Sequence, residues 1–298
     1  MSFQTHDYRW PAVRLYPGSV GARGLHGRVF ALVAAGFCAT TVALGCDTVA
    51  DDDTAIDPAI EAIVDSLDQT FPHHRVPLVG ADQIAALQID GRLDEALWGE
   101  LPTLDLSPFG DASERRTTAR IAYSEEALVI GIFLEDEHIW STLDDRDADL
   151  WTEEVIEIFL APQGAEGSYV ELQVNALGTI FDAHFDEPLG ESPHRRRAID
   201  AGRAWDLEGL TIGVHVDGRL NDVDHTDEFW SVEILIPWDG LPFDEVALPP
   251  QPGQVWRANL FRFDRPADGS RLAYGWSTAL RGDFHQPQRF GYWIYSGP

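Results

Sequence analysis

Between Tyr169 and Asn175 the chain alternates strictly. Val170, Leu172 and Val174 are apolar, whereas Tyr169, Glu171, Gln173 and Asn175 carry a hydroxyl, a carboxylate and two amides. At the two-residue period of a strand, the apolar set takes one face and the polar set the other. Such a polar row can hold ligand hydroxyls through donors and acceptors on a rigid support. It equally describes the wet face of an ordinary antiparallel sheet. Glu157 lies between Val155 and Phe159, out of phase with Ile156, Ile158 and Leu160. A second concentration of chemistry is the loop Asp144-Asp145-Arg146-Asp147-Ala148-Asp149. Its Asp144, Asp145, Asp147 and Asp149 are hard oxygen ligands of the kind Ca²⁺ takes. The glycine and closing glutamate of an EF-hand are missing, and a solvated acidic loop accounts for the same residues. Asp182 and Asp186 are further carboxylates of this kind.

Other chemistries find less support. Glycoside hydrolysis needs two carboxylates across a cleft, one with a raised pKa. With 50 acidic residues among 298, chance pairs are certain, so acid content identifies no such pair. Axial haem ligation commonly uses Met with His, and the only Met is Met1. His138, His184, His215, His225 and His285 leave a bis-His pair open, but there is no Cys-x-x-Cys-His. The two cysteines, Cys38 and Cys46, both lie in or beside an N-terminal apolar segment. If that segment is processed, the folded part has neither a disulfide nor a catalytic thiol.

The net charge is −29. The first 45 residues hold four Arg and one acid, so the rest carries 17 basic and 49 acidic residues, or −32. Every base is Arg. Such a field repels nucleic acid and anionic headgroups, tolerates neutral ligands and attracts cations.

Val29 to Gly45 is nearly all apolar or small and follows Arg23 and Arg28, the pattern of an export signal. At about 17 residues it is short for a membrane span. It ends in Ala43-Leu44-Gly45-Cys46, which resembles a bacterial lipoprotein signal, with Ala43 where Leu is commonest. That resemblance makes Cys46 the lipidation site. It implies an exported protein, lipid-anchored at the periplasmic or surface face of the bacterial cell envelope and touching membrane only through its anchor. An ordinary signal peptide or an uncleaved anchor is the other reading. Residues 46–77 read as an acidic tether containing Asp51-Asp52-Asp53. Within it Ile56, Ile60, Ile63, Val64 and Leu67 recur at helical spacing behind Asp57 and Pro58, as a short amphipathic helix or a disordered spacer.

The elements that would position these residues read as strands from Leu78 onward. Ten segments rich in Val, Ile, Phe, Trp and Thr qualify: 116–123, 128–134, 154–160, 169–175, 179–185, 210–216, 228–236, 255–263, 272–276 and 291–295. Gly, Pro, Asp and Asn punctuate them. Only Asp94–Glu100 reads clearly as helix within this part. The expectation is an all-β, two-sheet antiparallel β-sandwich over residues 78–298, with one or two short helices, folding as a monomer.

Five segments in order resemble carbohydrate-binding module family 9, the modules attached to xylanases, and its family-9-like relatives. They are Ile89-Asp90-Gly91-Arg92-Leu93-Asp94-Glu95-Ala96-Leu97-Trp98, Leu150-Trp151-Thr152-Glu153-Glu154-Val155-Ile156-Glu157-Ile158-Phe159-Leu160, Leu172-Gln173-Val174-Asn175-Ala176-Leu177-Gly178-Thr179, Phe229-Trp230-Ser231-Val232-Glu233-Ile234-Leu235-Ile236-Pro237-Trp238 and Phe284-His285-Gln286-Pro287-Gln288-Arg289-Phe290-Gly291. The resemblance implies non-catalytic binding of a neutral oligo- or polysaccharide such as xylan or glucan, in polysaccharide capture or catabolism. It implies a sugar held between the rings of Trp151 and Phe284, with Glu157, Gln173 and Asn175 at its hydroxyls. Phe284 stands where the family often has Trp, and Gln173 where some members have Arg. The resemblance also implies structural calcium, with no cofactor required for binding. A structural or protein-binding lipoprotein is the alternative.

Overall fold

The computed structural model describes residues 58–110, 115–189, 195–279 and 283–298. The signal segment, Cys38, Cys46 and the tether up to residue 57 lie outside the described residues. Among those described, no helix is long and apolar enough to cross a membrane.

The chain runs α1 (Pro58–Ser66), β1 (His73–Pro77), α2 (Ala81–Ala85), α3 (Ala96–Glu100), β2 (Thr103–Asp105), β3 (Ser107–Pro108), β4 (Thr117–Tyr123), β5 (Ala127–Glu135), β6 (Val155–Ala161), β7 (Tyr169–Val174) and β8 (Ile180–Phe185). It continues through α4 (Arg195–Gly202), β9 (Thr211–Asp217), β10 (Phe229–Pro237), β11 (Val255–Asp264), β12 (Leu272–Gly275) and β13 (Gly291–Ser296). All ten expected strands form. One sheet has the order β2-β4-β5-β10-β9; the other is β1-β13-β11-β6-β7-β8, with β12 joining β11 to β3.

The sheets close a sandwich because their facing sides are apolar at every second residue. Ile156, Ile158 and Leu160 of β6 and Val170, Leu172 and Val174 of β7 meet Ile130 and Ile132 of β5 and Val232 and Ile234 of β10. Each of these side chains is buried, contributing on the order of 1.5–3 kcal/mol. Pairing Ile158 with Leu172 and Ile156 with Val174 keeps β6 and β7 in phase; a one-residue slip would turn every apolar group outward.

Two expectations change. β1 runs parallel to β13, so the larger sheet is mixed rather than antiparallel. β1 also lies in the stretch read as tether. Its Val76 is fully buried, α1 buries Ile60, and the compact unit spans residues 57–298.

The opening motif is a clasp on the outside of the smaller sheet. Glu233 of β10 accepts bonds from the backbone N–H of Asp90 (2.9 Å) and Gly91 (2.8 Å) and from Trp98 Nε1 (2.7 Å). Gly91 has φ +90°, and a Cβ there would lie 2.4 Å from the backbone nitrogen of His215. Gly91→Ala is therefore expected to lower stability by about 1–3 kcal/mol through overpacking and backbone strain, read as a lower urea midpoint.

One polar element crosses the core. Arg262 of β11 is completely buried. Its Nη1 donates to Thr117 Oγ1 (2.9 Å) and the Glu135 carbonyl (2.8 Å), and its Nη2 to Asp136 Oδ2 (2.8 Å). Thr117 and Glu135 belong to the opposite sheet, so this side chain ties the two layers together.

Candidate functional site

The alternation of β6, β7 and β11 places Tyr169, Glu171, Gln173, Glu157, Phe261 and Phe263 on the outer face of the larger sheet, opposite the core residues. That face is not wet. Phe159, Phe181, Phe185, Phe261 and Phe263 of its own strands make it apolar, and Phe284 and Phe290 cover it, with Trp151 and Ile199 of α4 packed against them. Glu157, Glu171, Gln173 and Asn175 are all 3% exposed or less.

Under this roof the polar row forms a network. Gln173 Nε2 donates to Glu171 Oε1 at 2.7 Å. The other Glu171 oxygen lies 3.5 Å from His285 Nε2, and His285 Nδ1 lies 2.9 Å from the Tyr169 hydroxyl. Burial pushes the Glu171 carboxyl up to about 7, against the hydrogen bond from Gln173 and the charge of Arg195. Glu157, diagonal to Glu171 across β6 and β7, is pushed well above the usual carboxylate range by burial and then by Glu171 itself, with Arg271 pulling the other way. Burial holds His285 well below its ordinary value, helped by Arg195. A neutral imidazole with its proton on Nε2, facing Glu171, satisfies both contacts. Gln173 Oε1 is buried without a hydrogen-bond partner, an acceptor left open inside the site.

The five residues expected to bind ligand are not equivalent. Trp151 sits in a one-turn 3₁₀ helix just before β6 and is partly buried. Its ring meets Phe181 edge-on at 5.4 Å and has the Arg203 guanidinium at 5.5 Å. Phe284 is 6% exposed, parallel to Phe261 at 3.9 Å and tilted 22° from Phe263 at 4.8 Å. Its ring is therefore packed on protein. Asn175 is a turn-former: its Nδ2 donates to the Leu143 carbonyl (2.8 Å), and its Oδ1 accepts from the backbone N–H of Leu177 (3.0 Å) and Thr179 (2.9 Å). Glu157 and Gln173 share the roofed face.

Glu171, His285, Tyr169 and Arg195 belong to the same network, beyond the five residues that the family resemblance implies. Glu171 and Tyr169 were visible as the outward parity of β7. His285 and Arg195 come from segments with no strand period to place them.

The acidic loop does not form a calcium cage. Asp149 pairs with Arg196 (2.8 Å) and Arg203 (2.9 Å). Asp144 and Asp145 join no carboxylate cluster among the described residues. Asp147 clusters instead with Asp182 and Asp206. There Arg146 already fills the cationic role, 2.7 Å from both Asp182 oxygens and 2.7 Å from Asp206. A second cluster, Asp136, Glu154 and Asp264, is buried. Arg262 enters it at 2.8 Å from Asp136, and Arg115 lies 3.2 Å from Asp264. In these two clusters a guanidinium takes the place calcium would need, so neither cluster fits the ion.

The sequence over residues 112–295 matches the model of Carbohydrate-binding family 9. The fold is similar to a carbohydrate binding module family 9 from Caldicellulosiruptor kristjanssonii in complex with cellotriose, at TM-score 0.52 and 13% identity over 76% of this chain and 95% of that one. The structure of that module in complex with glucose aligns at the same score and identity, covering 97% of its chain. A candidate carbohydrate-binding protein from Bacteroides uniformis aligns at TM-score 0.54 and 14% identity, over 76% of this chain and all of the other. No curated protein matches the sequence. The matched region contains both sheets' central strands and the roofed polar face, and spans more than half of the chain: this protein belongs to carbohydrate-binding family 9.

Proposed function

We propose that the protein captures a neutral polysaccharide of the xylan or glucan type on the outer face of its larger sheet, without altering it chemically, as an exported lipoprotein anchored through Cys46. The observation that carries the reading is the open acceptor: Gln173 Oε1 is buried and unpartnered in the polar row of a family 9 chain. A sugar hydroxyl supplies the missing donor. The partly buried Trp151 supplies an apolar ring for the C–H face of a pyranose. Burial of Glu157 and Glu171 favours their neutral acid forms, and neutral groups suit a neutral ligand without an ionic partner. Phe284 serves as a wall of the site, its ring stacked on Phe261.

Calorimetry of the full-length protein with xylo-, cello- and manno-oligosaccharides tests this. Trp151→Ala is expected to weaken binding about 10- to 100-fold, the loss of a stacking surface of roughly 1–3 kcal/mol. A sugar that binds the parent and is unaffected by Trp151→Ala places the site elsewhere. Anchoring has its own test: Cys46→Ser is expected to release the protein from the membrane fraction or stall its processing. A variant that partitions and matures like the parent counts against lipidation.

A further inference from the structure

The large apolar side chains left exposed among the described residues are Trp140 (37%), Leu177 (44%) and Val223 (61%). They come from three different connections, β5 to β6, β7 to β8 and β9 to β10. Hydrogen bonds around the buried Ser141 bring those connections together. Ser141 N donates to Asn221 Oδ1 (2.8 Å), and Asn221 Nδ2 donates back to the Ser141 carbonyl (2.8 Å). The Asn221 backbone N–H reaches the Ile139 carbonyl (2.9 Å), and the Ala176 N–H reaches Ser141 Oγ (3.3 Å). The backbone of Trp140 is pinned on both sides: its own N–H donates to Glu154 (2.8 Å), and that of Ile139 to Asp227 (2.9 Å). A tryptophan on a loop held this firmly is preorganised, so little ordering is needed when something stacks on it.

The same loop leads to the glycan face. Two and three residues beyond Trp140, the N–H groups of Thr142 and Leu143 donate to Glu153, which follows Trp151 by two residues. Leu143 packs in the apolar layer that also receives Trp151. These bonds tie the loop that carries Trp140 to the turn that carries Trp151. Three side chains expose far less than the roughly 800 Å² per partner that a stable protein interface buries. The strongly negative surface excludes anionic polymers. A neutral pyranose fits both constraints.

We infer that Trp140, with Leu177 and Val223 on the adjoining loops, is an outer stacking subsite for a further pyranose unit of the same glycan; this rests on the assignment of the Trp151 face as the primary site. Neither Trp140 nor Val223 belongs to the five segments that mark the family.

The test is calorimetry of the full-length protein with the disaccharides and hexasaccharides of the cello and xylo series. Trp140→Ala is expected to weaken hexasaccharide binding about 10-fold and to leave disaccharide binding within about two-fold. Trp140→Phe keeps a ring and is expected to retain most of the hexasaccharide affinity. Leu177→Ser, a second variant on the same patch, is expected to act in the same direction as Trp140→Ala. Melting temperatures of Trp140→Phe and Leu177→Ser are expected to stay close to the parent, and that of Trp140→Ala, whose ring is 37% exposed, to fall modestly while the protein remains folded at the assay temperature. If Trp151→Ala weakens both ligands and Trp140→Ala weakens neither, the outer subsite is wrong and the primary site stands. If Trp140→Ala weakens disaccharide and hexasaccharide equally, Trp140 is part of the primary site and the inference falls. If Trp140→Ala instead dissociates a dimer of the parent in sedimentation, the patch is a contact with a second copy and the inference falls. If the parent binds none of these sugars, the inference falls together with the proposed function.

Discussion

Replacing Arg262 by alanine is expected to lower the stability of the sandwich by roughly 3–5 kcal/mol, the range for removing one partner of a buried ion pair. The side chain is fully buried and joins β11 to Thr117 of β4, the Glu135 carbonyl of β5 and Asp136. Around it stand Asp136, Glu154 and Asp264, with ligand atoms within 4.8 Å of one another. Without the guanidinium, Arg115 is the remaining cation beside three buried carboxyls, and a carbonyl and a hydroxyl lose their donor. Arg262→Lys is expected to recover only part of the loss, because one ammonium cannot span the two directions of the fork. The measurement is the urea midpoint of each variant at neutral pH. A cost below about 1 kcal/mol would mean that the strut contributes little to holding the sheets together.

The second large effect is a fall in stability as pH rises from mildly acid to alkaline. Burial pushes Glu154 up to about 9, with the charge of Asp136 adding to it. Burial likewise raises Glu171 to about 7 and Asp264 to about 6, and raises Glu157 further. A carboxyl with a raised folded pKa binds its proton more tightly folded than unfolded. Its contribution is complete below the unfolded value near 4.5 and is lost as pH climbs through the folded value. The window therefore runs from about 4.5 to 7 for Glu171 and from about 4.5 to 9 for Glu154. Asp149 and Asp227 titrate in the other sense. Hydrogen bonds from Arg196 and Arg203 hold Asp149 low, and backbone donors with His225 hold Asp227 low, both against burial. Their stabilisation is lost as pH falls through those depressed values. Stability is thus expected to be highest near pH 5 and lower at pH 9 by on the order of several kcal/mol, read as a fall in melting temperature. Glu154→Gln, which mimics the neutral acid, is expected to flatten the alkaline limb. A melting temperature that climbs steadily from pH 5 to 9 would show that these carboxyls are not held neutral by the fold.

The strands were legible because one face of each must be apolar. β6 and β7 alternate visibly, and β5 and β10 are long runs of branched residues. β1 was not legible: His-His-Arg-Val-Pro has only two inward positions, and its pairing with β13 crosses most of the chain. α4, Arg-Arg-Arg-Ala-Ile-Asp-Ala-Gly, buries little and shows no apolar stripe. It matters through Arg195 and Ile199, which reach the site only in three dimensions. Parity identified the outward row of β7 but not what covers it. The same alternation describes a wet face or one beneath a second layer, and the roof comes from residues 284–290 and 195–203, far away in sequence. For Phe284 the difference has a direct consequence. The family resemblance implies Trp there in many members, yet a larger ring would have to displace Phe261 or Phe263, so Phe284→Trp is expected to strain the layer.

The parallel pairing of β1 with β13 sets how the domain bears a pull from its N-terminal side. Five residue pairs, His73–Tyr292 to Pro77–Ser296, lie side by side along the direction in which the chain arrives. Tension entering through residue 58 first meets α1, a nine-residue helix whose one buried residue is Ile60. The load then runs along β1 and strains its hydrogen bonds to β13 together, in shear, instead of opening them one after another like a zipper. If the proposed anchoring through Cys46 holds, the pull on the domain enters through this parallel seam, where the leading segment joins the sheet.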